Sequence, residues 1–398
     1  MPVQFRYSYR LEIRYIASSN HKEYIIPSPS VTFVYIMHDY DNDIRPYIMV
    51  KIKLDASIYN MMINDQGKGK VSLNIMKYNK DGTSSVYTSY INDQFDFVMS
   101  ENPNVTPVFD KEVAGQGIAY KTCMVGLFKS ELMHYNQKQF DGVYKNTNTS
   151  SLIQNATSHM KILIEPFRYN PSIESIVVPP INSVVEFIAY INQKYNFYGD
   201  QYVYFNDFDK TYLKSNSGKY INANDGQNPY VAFDIRDMTN YKANTAGFIV
   251  DNSQNAYIIY TDPSYVQIST DRITPYAASN IVTIDSNGKQ QMSKVDTSSI
   301  INTSPDKDST LYIPSDDPHG AEYIANSLKN NTVTMVISKT EMDTSIFTPN
   351  KEYLISNYEG NNKYTGRYYM SFKQEYFYNT EVEFMCLSNI GLRMVVHY

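Results

Sequence analysis

The sequence predicts a mainly β protein with a few helices, and three observations support this fold class. Apolar and polar side chains alternate without a break over residues 3–15, which is the two-residue period of a strand with one buried face. The 398-residue chain contains 38 Tyr and no Trp, and aromatic side chains favour strands. The clearest helical pattern is one short segment near the middle of the chain, with strand patterns before and after it.

Further alternating segments follow the N-terminal strand. Residues 31–37 and 44–54 each place their apolar side chains on one face, and the Asp-rich segment 41–43 provides the turn between them. Residues 71–75 form another strand, which ends at the turn 79–82. We therefore expect the first hundred or so residues to form an antiparallel meander that closes into a barrel.

The region between these strands and the central helix is less regular. A loop at 100–117 precedes a strand at 118–128, and residues 160–167 form another strand. Between those two strands, residues 136–158 are rich in Asn, Thr and Ser. This composition predicts an exposed insertion, because short polar side chains favour turns and solvated loops.

The central helix begins with a capping box. Ser183 and Glu186 have the spacing at which each side chain accepts a hydrogen bond from a free backbone N–H group of the first turn. Pro179 and Pro180 end the strand that comes before it. The helix then carries one apolar stripe, formed by Val184, Phe187, Ile188, Ile191 and Tyr195.

A tight hairpin of aromatic strands follows the helix. Residues 201–205 are aromatic and β-branched, and Asn206 and Asp207 form the turn before a second strand. Helix and hairpin together predict a compact α+β unit. Nine of its residues are candidates for structural or interface roles: Ser183, Glu186, Phe187, Ile188, Ile191, Tyr204, Phe205, Phe208 and Tyr212.

The remainder of the chain returns to strands and turns. Short strands are predicted at 231–235, 248–251, 256–261, 266–269 and 280–284. A second helix is predicted at 320–330, because its apolar residues recur at helical spacing. Alternating strands resume toward the C-terminus, so the order of strands followed by a helix occurs twice.

Composition and motif spacing argue against most enzyme and nucleic-acid-binding classes. The net charge is −6 and no run of Lys or Arg exceeds two, so a groove that follows a phosphate backbone is not expected. The six histidines lack metal-ligand spacing, and the chain has no Gly-rich phosphate loop and no nucleophile motif. We therefore expect no catalytic, cofactor or metal site. Cation binding in the Asp-rich turns at 39–43 and 206–209 stays open, as does a pair of distant carboxylates that meet in space.

Three further features concern the surroundings of the protein. Cys123 and Cys386 are expected to be separate thiols in a reducing compartment, with a disulfide as the alternative. Residues 1–11 lack the apolar core of a signal peptide, and no apolar run reaches the length of a membrane span, so we expect no membrane anchor. Tyr and Met on long strands favour a surface covered by neighbouring subunits. Filling of sheet faces, or an AT-rich genome, would explain the same composition.

The helix and hairpin resemble a known family. The segment YNFYGDQYVYFNDFDKTYL at 195–213 follows a capped helix and is similar to the central segment of baseplate hub proteins of contractile-tailed bacteriophages. The final segment EFMCLSNIGLRMV at 383–395 is similar to the closing hairpin of that family. The resemblance is architectural over nearly the whole chain and specific over some thirty residues, which contain no catalytic motif. A related module forms the N-terminal part of type VI secretion spike proteins.

The resemblance implies two tube-like antiparallel β-barrels joined by a small α+β domain. The first barrel would occupy residues 1–170, the connecting domain 171–265 and the second barrel region 266–398. It also implies a homotrimer, whose six barrels adapt a sixfold tail tube to a threefold central spike. Further implied partners are the tape measure protein and sheath initiator or baseplate wedge proteins, with DNA only transiently in the lumen. The protein would be assembled in the host cytoplasm and reside in the virion.

Two other functions remain as alternatives. One is another virion β-protein, such as a distal-tail or receptor-binding component, in which surface Tyr side chains stack on sugars. The other is a secreted carbohydrate-active enzyme, against which the missing signal peptide argues. Some hub proteins carry a fused cell-wall hydrolase, but no hydrolase motif is present in this chain.

Overall fold

The protein is mainly β, with few helices, which confirms the predicted fold class. The computed structural model describes residues 7–40, 47–79, 88–100, 120–131, 136–198, 202–208, 210–215, 230–237, 248–251, 256–269, 278–284, 290–294, 306–314, 334–340, 347–349, 351, 353–359, 364–380 and 383–394. Within these ranges there are twenty-three strands and three α-helices.

The N-terminal part contains seven described strands and one helix. They are β1 (Tyr7–Ile16), β2 (Glu23–Ile26), β3 (Val31–Asp39), β4 (Tyr47–Asp55), α1 (Ala56–Asn64), β5 (Lys70–Asn79), β6 (Thr88–Ser100) and β7 (Tyr120–Phe128). Strand β1 shows the predicted alternation, because Tyr9, Leu11, Ile13 and Tyr15 are buried. Helix α1 was not predicted; Asp55 caps it by accepting a hydrogen bond from the Ser57 N–H at 2.6 Å.

The central part contains the predicted helix and hairpin. Its elements are β8 (Phe140–Asn148), α2 (Thr149–Thr157), β9 (Ile162–Ile164), β10 (Ser172–Ile181), α3 (Val184–Tyr195), β11 (Tyr202–Asp207) and β12 (Lys210–Ser215). The structure differs from the exposed insertion predicted at 136–158, which contains β8 and α2. Leu152, Ile153 and Ala156 share the buried face of α2, and Asn148 caps it, so a polar composition concealed an amphipathic helix.

The C-terminal part is built from short strands and one long hairpin. Its elements are β13 (Tyr230–Ile235), β14 (Phe248–Asp251), β15 (Ala256–Thr261), β16 (Val266–Ser269), β17 (Ala278–Ile284), β18 (Gln290–Lys294), β19 (Asp306–Pro314), β20 (Thr334–Thr340), β21 (Tyr353–Tyr358), β22 (Gly366–Asn379) and β23 (Phe384–Met394). The helix predicted at 320–330 lies outside the described residues.

Eight strands pair in a closed cycle. The order is β22, β3, β4, β7, β6, β5, β1 and β23, and β23 pairs again with β22. Every pairing is antiparallel, and the pairing of Tyr9 with Phe384 joins β1 to β23. The order differs from the predicted simple meander, because β4 pairs with β7 and β1 with β5. One hydrophobic core, the first core, takes side chains from all eight strands.

The second core lies under the remaining strands of the large sheet. Strand β13 pairs in parallel with β15 and β21, while β21 joins β22 and β20 joins β23. Strands β22 and β23 serve both cores: Phe377 and Cys386 belong to the first core, and Met370 and Leu392 to the second. The C-terminal hairpin therefore ties the two β units together. The domain boundaries inferred from the sequence stay a prediction.

The third core belongs to the central part. Its buried side chains come from helices α2 and α3, from the two-stranded sheet β8–β10 and from the sheet β9–β12–β11. In the first core, Cys123 and Cys386 are free thiols, as expected. Within the ranges described above, no helix has the length and apolarity needed to cross a membrane.

Candidate functional site

The hairpin formed by β11 and β12 contacts all three cores. Val203 and Phe205 belong to the second core, and Tyr204 between them belongs to the third. Phe208, in the turn, packs against the first core. Successive side chains of a strand point to opposite faces, so one aromatic run supplies two cores at once. We call residues 202–208 and 210–215 the junction hairpin.

Helix α3 starts at the predicted cap. The Ser183 Oγ accepts a hydrogen bond from the Glu186 N–H at 3.1 Å. The Glu186 Oε2 in turn accepts a hydrogen bond from the Asn182 N–H at 3.3 Å, one residue earlier than in the usual capping box. Both bonds satisfy backbone donors at the helix start, and they fix the direction in which the chain leaves β10.

The predicted apolar face of α3 points into the third core. Phe187, Ile188 and Ile191 are fully or almost fully buried. Phe187 stacks on Phe140 of β8, with ring centroids 4.3 Å apart. The helix thereby packs against the β8–β10 sheet.

Three aromatic side chains of the junction hairpin anchor it: Tyr204, Phe205 and Tyr212. The Tyr204 hydroxyl donates a hydrogen bond to the Asn136 Oδ1 at 2.8 Å. Phe205 stacks on Tyr212 at 5.0 Å and meets Tyr40 edge-on at 4.9 Å. These contacts hold the first strand of the hairpin against the third core on one face and the second core on the other.

Phe208 closes the hairpin turn. Its φ of 50° lies in the left-handed region, which a bulky side chain adopts only when its surroundings hold it there. The ring meets His38 edge-on at 4.9 Å and Phe95 at 5.9 Å. Packing against the first core therefore stabilises this turn conformation.

A layer of polar side chains lies between the first and second cores. It consists of His38, Tyr90, Asp207, Lys373 and Glu375, and we call it the polar layer. Lys373 stands opposite His38 in the β22–β3 register. Its Nζ donates a hydrogen bond to the Tyr90 Oη at 3.0 Å and lies 3.6 Å from the Glu375 Oε1. Tyr90 also donates a hydrogen bond to Glu375, which is fully buried.

Burial sets the protonation of the groups beside this layer. It lowers the pKa of His38 well below 6.5, and the positive charge of Lys373 lowers it further, so the imidazole is neutral at pH 7. The His38 Nδ1 lies 3.5 Å from the Asp207 Oδ1. Burial also raises the pKa of Tyr40 well above 10, helped by Asp207 and Glu375, so its hydroxyl stays protonated.

A buried carboxyl group, that of Glu165, and the half-buried Lys214 lie at the end of the junction hairpin. Burial lowers the pKa of Lys214 to about 8 and raises that of Glu165. The Glu165 Oε2 accepts a hydrogen bond from the Ser215 N–H at 2.8 Å, and Lys214 donates one to the Pro349 carbonyl. The first bond joins β12 to Glu165, which directly follows β9. The second joins β12 to Pro349, close to Phe347 of the second core.

The geometry of these groups suits a structural role. Their donors and acceptors bond strands that are far apart in sequence, which fixes strand register. In the segments that the structure covers, no group of three or more His, Cys, Asp or Glu side chains is placed to hold a metal ion. Of the Asp-rich turns, residues 41–43 and 209 are outside those segments, and the Asn206 Oδ1 accepts a hydrogen bond from Thr211.

Sequence reasoning missed the polar layer. Lys373, Glu375 and the core residue Phe377 follow one another at a spacing of two residues. The two-residue period of a strand therefore places all three on the inward face of β22. This spacing was the signal in the sequence that Lys373 and Glu375 are buried. Their partners His38 and Tyr90 are more than 280 residues away along the chain, and a single sequence does not reveal such a pairing.

A family model described as the bacteriophage PBS1 gene 109 protein matches residues 5–395. The chain belongs to this family. The match covers the closed strand cycle, the central part and the C-terminal hairpin. A comparison with curated protein sequences gives no match.

Solved structures share the fold of this gene 109 family protein. A tail protein from Neisseria meningitidis MC58 has a TM-score of 0.55 at 10% identity, with 97% of this chain and 96% of that chain covered. The 43 kDa tail protein of prophage MuSo2 from Shewanella oneidensis has a TM-score of 0.51 at 10% identity, with 95% and 97% covered. A chain of the Francisella PdpA–VgrG complex has a TM-score of 0.51 at 8% identity, with 99% of this chain and 59% of that chain covered. At these identities the similarity concerns the fold alone.

Proposed function

We propose that this gene 109 family protein is a structural component of a bacteriophage tail, namely a baseplate hub that forms a homotrimer. The observation that carries the proposal is fold similarity to two tail proteins, one of them from a prophage. The similarity covers at least 95% of this chain and 96% of each of those chains. The family assignment supports a phage origin. The similarity to a VgrG-complex chain is in keeping with the resemblance to type VI spike modules.

In this proposal each chain supplies two tube-like β-barrels. The closed cycle of eight strands is the pairing pattern of a barrel and supports the first one. The second β unit, which surrounds the second core, would supply the other barrel. It shares strands β22 and β23 with the cycle. Three chains would then present six similar β units around one axis, which adapts a sixfold tail tube to a threefold spike.

The shared hairpin and the polar layer give this arrangement its rigidity. An adaptor ring requires that the two β units of one chain keep a fixed spacing. Strands β22 and β23 run through both cores, and the junction hairpin packs against all three cores. The unit spacing is therefore set by continuous strands and buried contacts rather than by a flexible linker.

The partners of the hub would be other tail components. They comprise the tail tube protein, the central spike, sheath initiator or baseplate wedge proteins, and the tape measure protein that passes through the lumen before DNA. A net charge of −6 suits a lumen through which DNA passes without being held. The role is non-enzymatic, and the protein would assemble in the host cytoplasm and remain in the virion.

The homotrimer is tested on purified recombinant protein. Light scattering after size exclusion should give a mass of about 138 kDa, three times the 45.9 kDa of one chain. Negative-stain class averages should show a ring with a central opening. A monomer at micromolar concentration, together with the absence of rings, would contradict the proposal.

A further inference from the structure

The polar layer contains hydrogen-bonding atoms that its own bonds do not satisfy. The Glu375 Oε1 accepts a hydrogen bond from Tyr90, whereas the Glu375 Oε2 is buried and has no partner among the residues that the structure describes. The same holds for the His38 Nδ1 and for the Oγ of Ser371, next to the layer. These three residues are exposed by 3% or less. Folded proteins leave few buried polar atoms unpaired, because each one has lost its bonds to water.

The residues that carry these atoms lie on the inward faces of two neighbouring strands. Ser371, Lys373 and Glu375 occupy alternate positions of β22, and all three are buried. His38 of β3 stands opposite Lys373. The Tyr40 N–H donates a hydrogen bond to the Ser371 carbonyl at 2.7 Å, so Tyr40 stands opposite Ser371. The unpaired atoms therefore belong to one column of side chains between the first and second cores.

The His38 ring leans toward the Ser371 end of this column. It stacks on Tyr40, with ring centroids 5.6 Å apart and 17° between the planes, and Tyr40 is the residue opposite Ser371. The His38 Nδ1 lies 3.5 Å from the Asp207 Oδ1, which is longer than an ordinary hydrogen bond. The Ser371 hydroxyl, the His38 Nδ1 and the Asp207 carboxylate are therefore neighbours at this end of the layer.

Lys373 and Glu375 form the other end. The Lys373 ammonium carries three N–H donors, of which the Tyr90 Oη takes one at 3.0 Å. The Lys373 Nζ lies 3.6 Å from the Glu375 Oε1, which is an ion pair without a direct hydrogen bond. The unpaired Glu375 Oε2 belongs to the same carboxylate, so one small molecule can bridge it to the ammonium.

The charges of the layer select a neutral ligand. Lys373 repels a cation, and Glu375 and Asp207 repel an anion. The ligand has to donate to the Glu375 Oε2 and to accept from the Lys373 ammonium. Water does both, and a buried water molecule typically makes about three hydrogen bonds. The chemistry of the layer therefore fits water.

We propose that the polar layer binds two ordered water molecules. One is held by the Ser371 Oγ, the His38 Nδ1 and the Asp207 Oδ1, and the other bridges the Lys373 Nζ to the Glu375 Oε2. Positions 371 and 375 are about 13 Å apart along a strand, so a single water molecule does not reach both. The Asp207 side chain is 35% exposed, which provides a route from solvent into the layer.

Bound water would add to the contacts between the two β units. The first water molecule joins β22 and β3 to Asp207, at the turn of the junction hairpin. The second completes the bonding of the buried ion pair on β22. Both sites lie within one chain, so they do not depend on the proposed trimer.

A crystal structure of the full chain, at a resolution that shows ordered water, tests the two sites. It should show one density peak within about 3.2 Å of the Ser371 Oγ and another at that distance from the Glu375 Oε2. Absence of both peaks would overturn the proposal. Crystals soaked in rubidium chloride provide the control, since an anomalous peak at either site would identify a cation and would also overturn it.

The variant Ser371→Ala tests the first site in solution. If the hydroxyl bonds to water, its removal takes a partner from that water and lowers the urea midpoint of unfolding. If the site is dry, its removal relieves an unpaired buried group and raises the midpoint. Ser338→Ala is the matched reference, since the Ser338 Oγ donates an ordinary hydrogen bond to the Tyr265 carbonyl at 3.1 Å. The two variants should shift the midpoint in the same direction, and an unchanged or raised midpoint for Ser371→Ala would overturn the site.

Discussion

At the scale of single residues, the polar layer holds two opposite charges that are buried next to each other, Lys373 and Glu375. Lys373 and Glu375 lie almost entirely out of water, and Tyr90 bonds to both. Removing one member of such a pair leaves an uncompensated charge, whereas removing both charges is far less costly. The layer is therefore sensitive to single changes in a way that the exposed ion pairs of β1 are not.

Substituting Lys373 alone should destabilise the protein strongly. We expect Lys373→Met to lower the free energy of unfolding by about 3–5 kcal/mol, since Glu375 is then buried without a cation. The double variant Lys373→Met/Glu375→Gln should recover most of this loss. Urea denaturation measures both, with Arg10→Met on the exposed Glu12 pair as the control that changes little. A double variant no more stable than Lys373→Met would refute the pairing.

His38 should make stability fall in mild acid. The unfolded chain binds a proton at this imidazole near pH 6.5, whereas burial keeps the folded imidazole neutral to much lower pH. Below pH 6.5 the unfolded state therefore gains protons that the folded state does not, and stability drops by up to ~1.4 kcal/mol per pH unit.

The variant His38→Gln should flatten this slope. Thermal or urea unfolding of the variant and of the wild type between pH 7 and pH 5 measures it. An unchanged slope in His38→Gln would show that other groups cause the acid sensitivity.

At the scale of elements, α3 and the C-terminal hairpin organise the cores. Helix α3 buries its predicted face, and β22 and β23 extend through two cores. A register shift in β22 between Met370 and Phe372 marks the passage from one core to the other. Each element therefore has a position where a small change should have a large effect.

The buried face of α3 tolerates no charge. Phe187→Asp should unfold the central part and abolish the proposed trimer, because it removes the stack on Phe140 and buries a carboxylate in the third core. The exposed Gln193→Asp on the same helix should leave both intact. Circular dichroism and light scattering report the two properties. An assembled trimer of Phe187→Asp would refute the assignment of the helix face.

Gly391 permits the close approach of β23 to Phe372. A Cβ at this position would overlap the Phe372 ring, so Gly391→Ala should cost about 1–3 kcal/mol of unfolding free energy. Adding Phe372→Leu should relieve part of that cost. Gly126→Ala is the control, since its Cβ would be 3.8 Å from the nearest atom, the Val98 carbonyl oxygen. Equal stability of the Gly391→Ala and Gly126→Ala variants would contradict this explanation.

Local patterns predicted elements well and long-range pairings poorly. The alternation in β1 and the cap at Ser183 are readable because their signals lie within a few residues. Helix α2 was concealed by its Asn, Ser and Thr content, although its apolar spacing is helical. The pairing of β4 with β7, and of Lys373 with Tyr90, is decided by tertiary packing between distant segments.

At the scale of the whole molecule, one chain joins a closed strand cycle, a second β unit and an α+β part through shared strands. The junction hairpin touches all three cores, and the C-terminal hairpin runs through two. Such a chain is suited to hold its parts at fixed spacing within a symmetric ring.

The position of the protein in the virion is the most direct test of the hub proposal. Cryo-electron microscopy of the intact tail of a phage that encodes this chain should place three copies as a ring between the sixfold tube and the threefold spike. The closed strand cycle and the second β unit should alternate around the lumen of that ring. Copies found only on fibres or at the outer rim of the baseplate, with another protein between tube and spike, would contradict it.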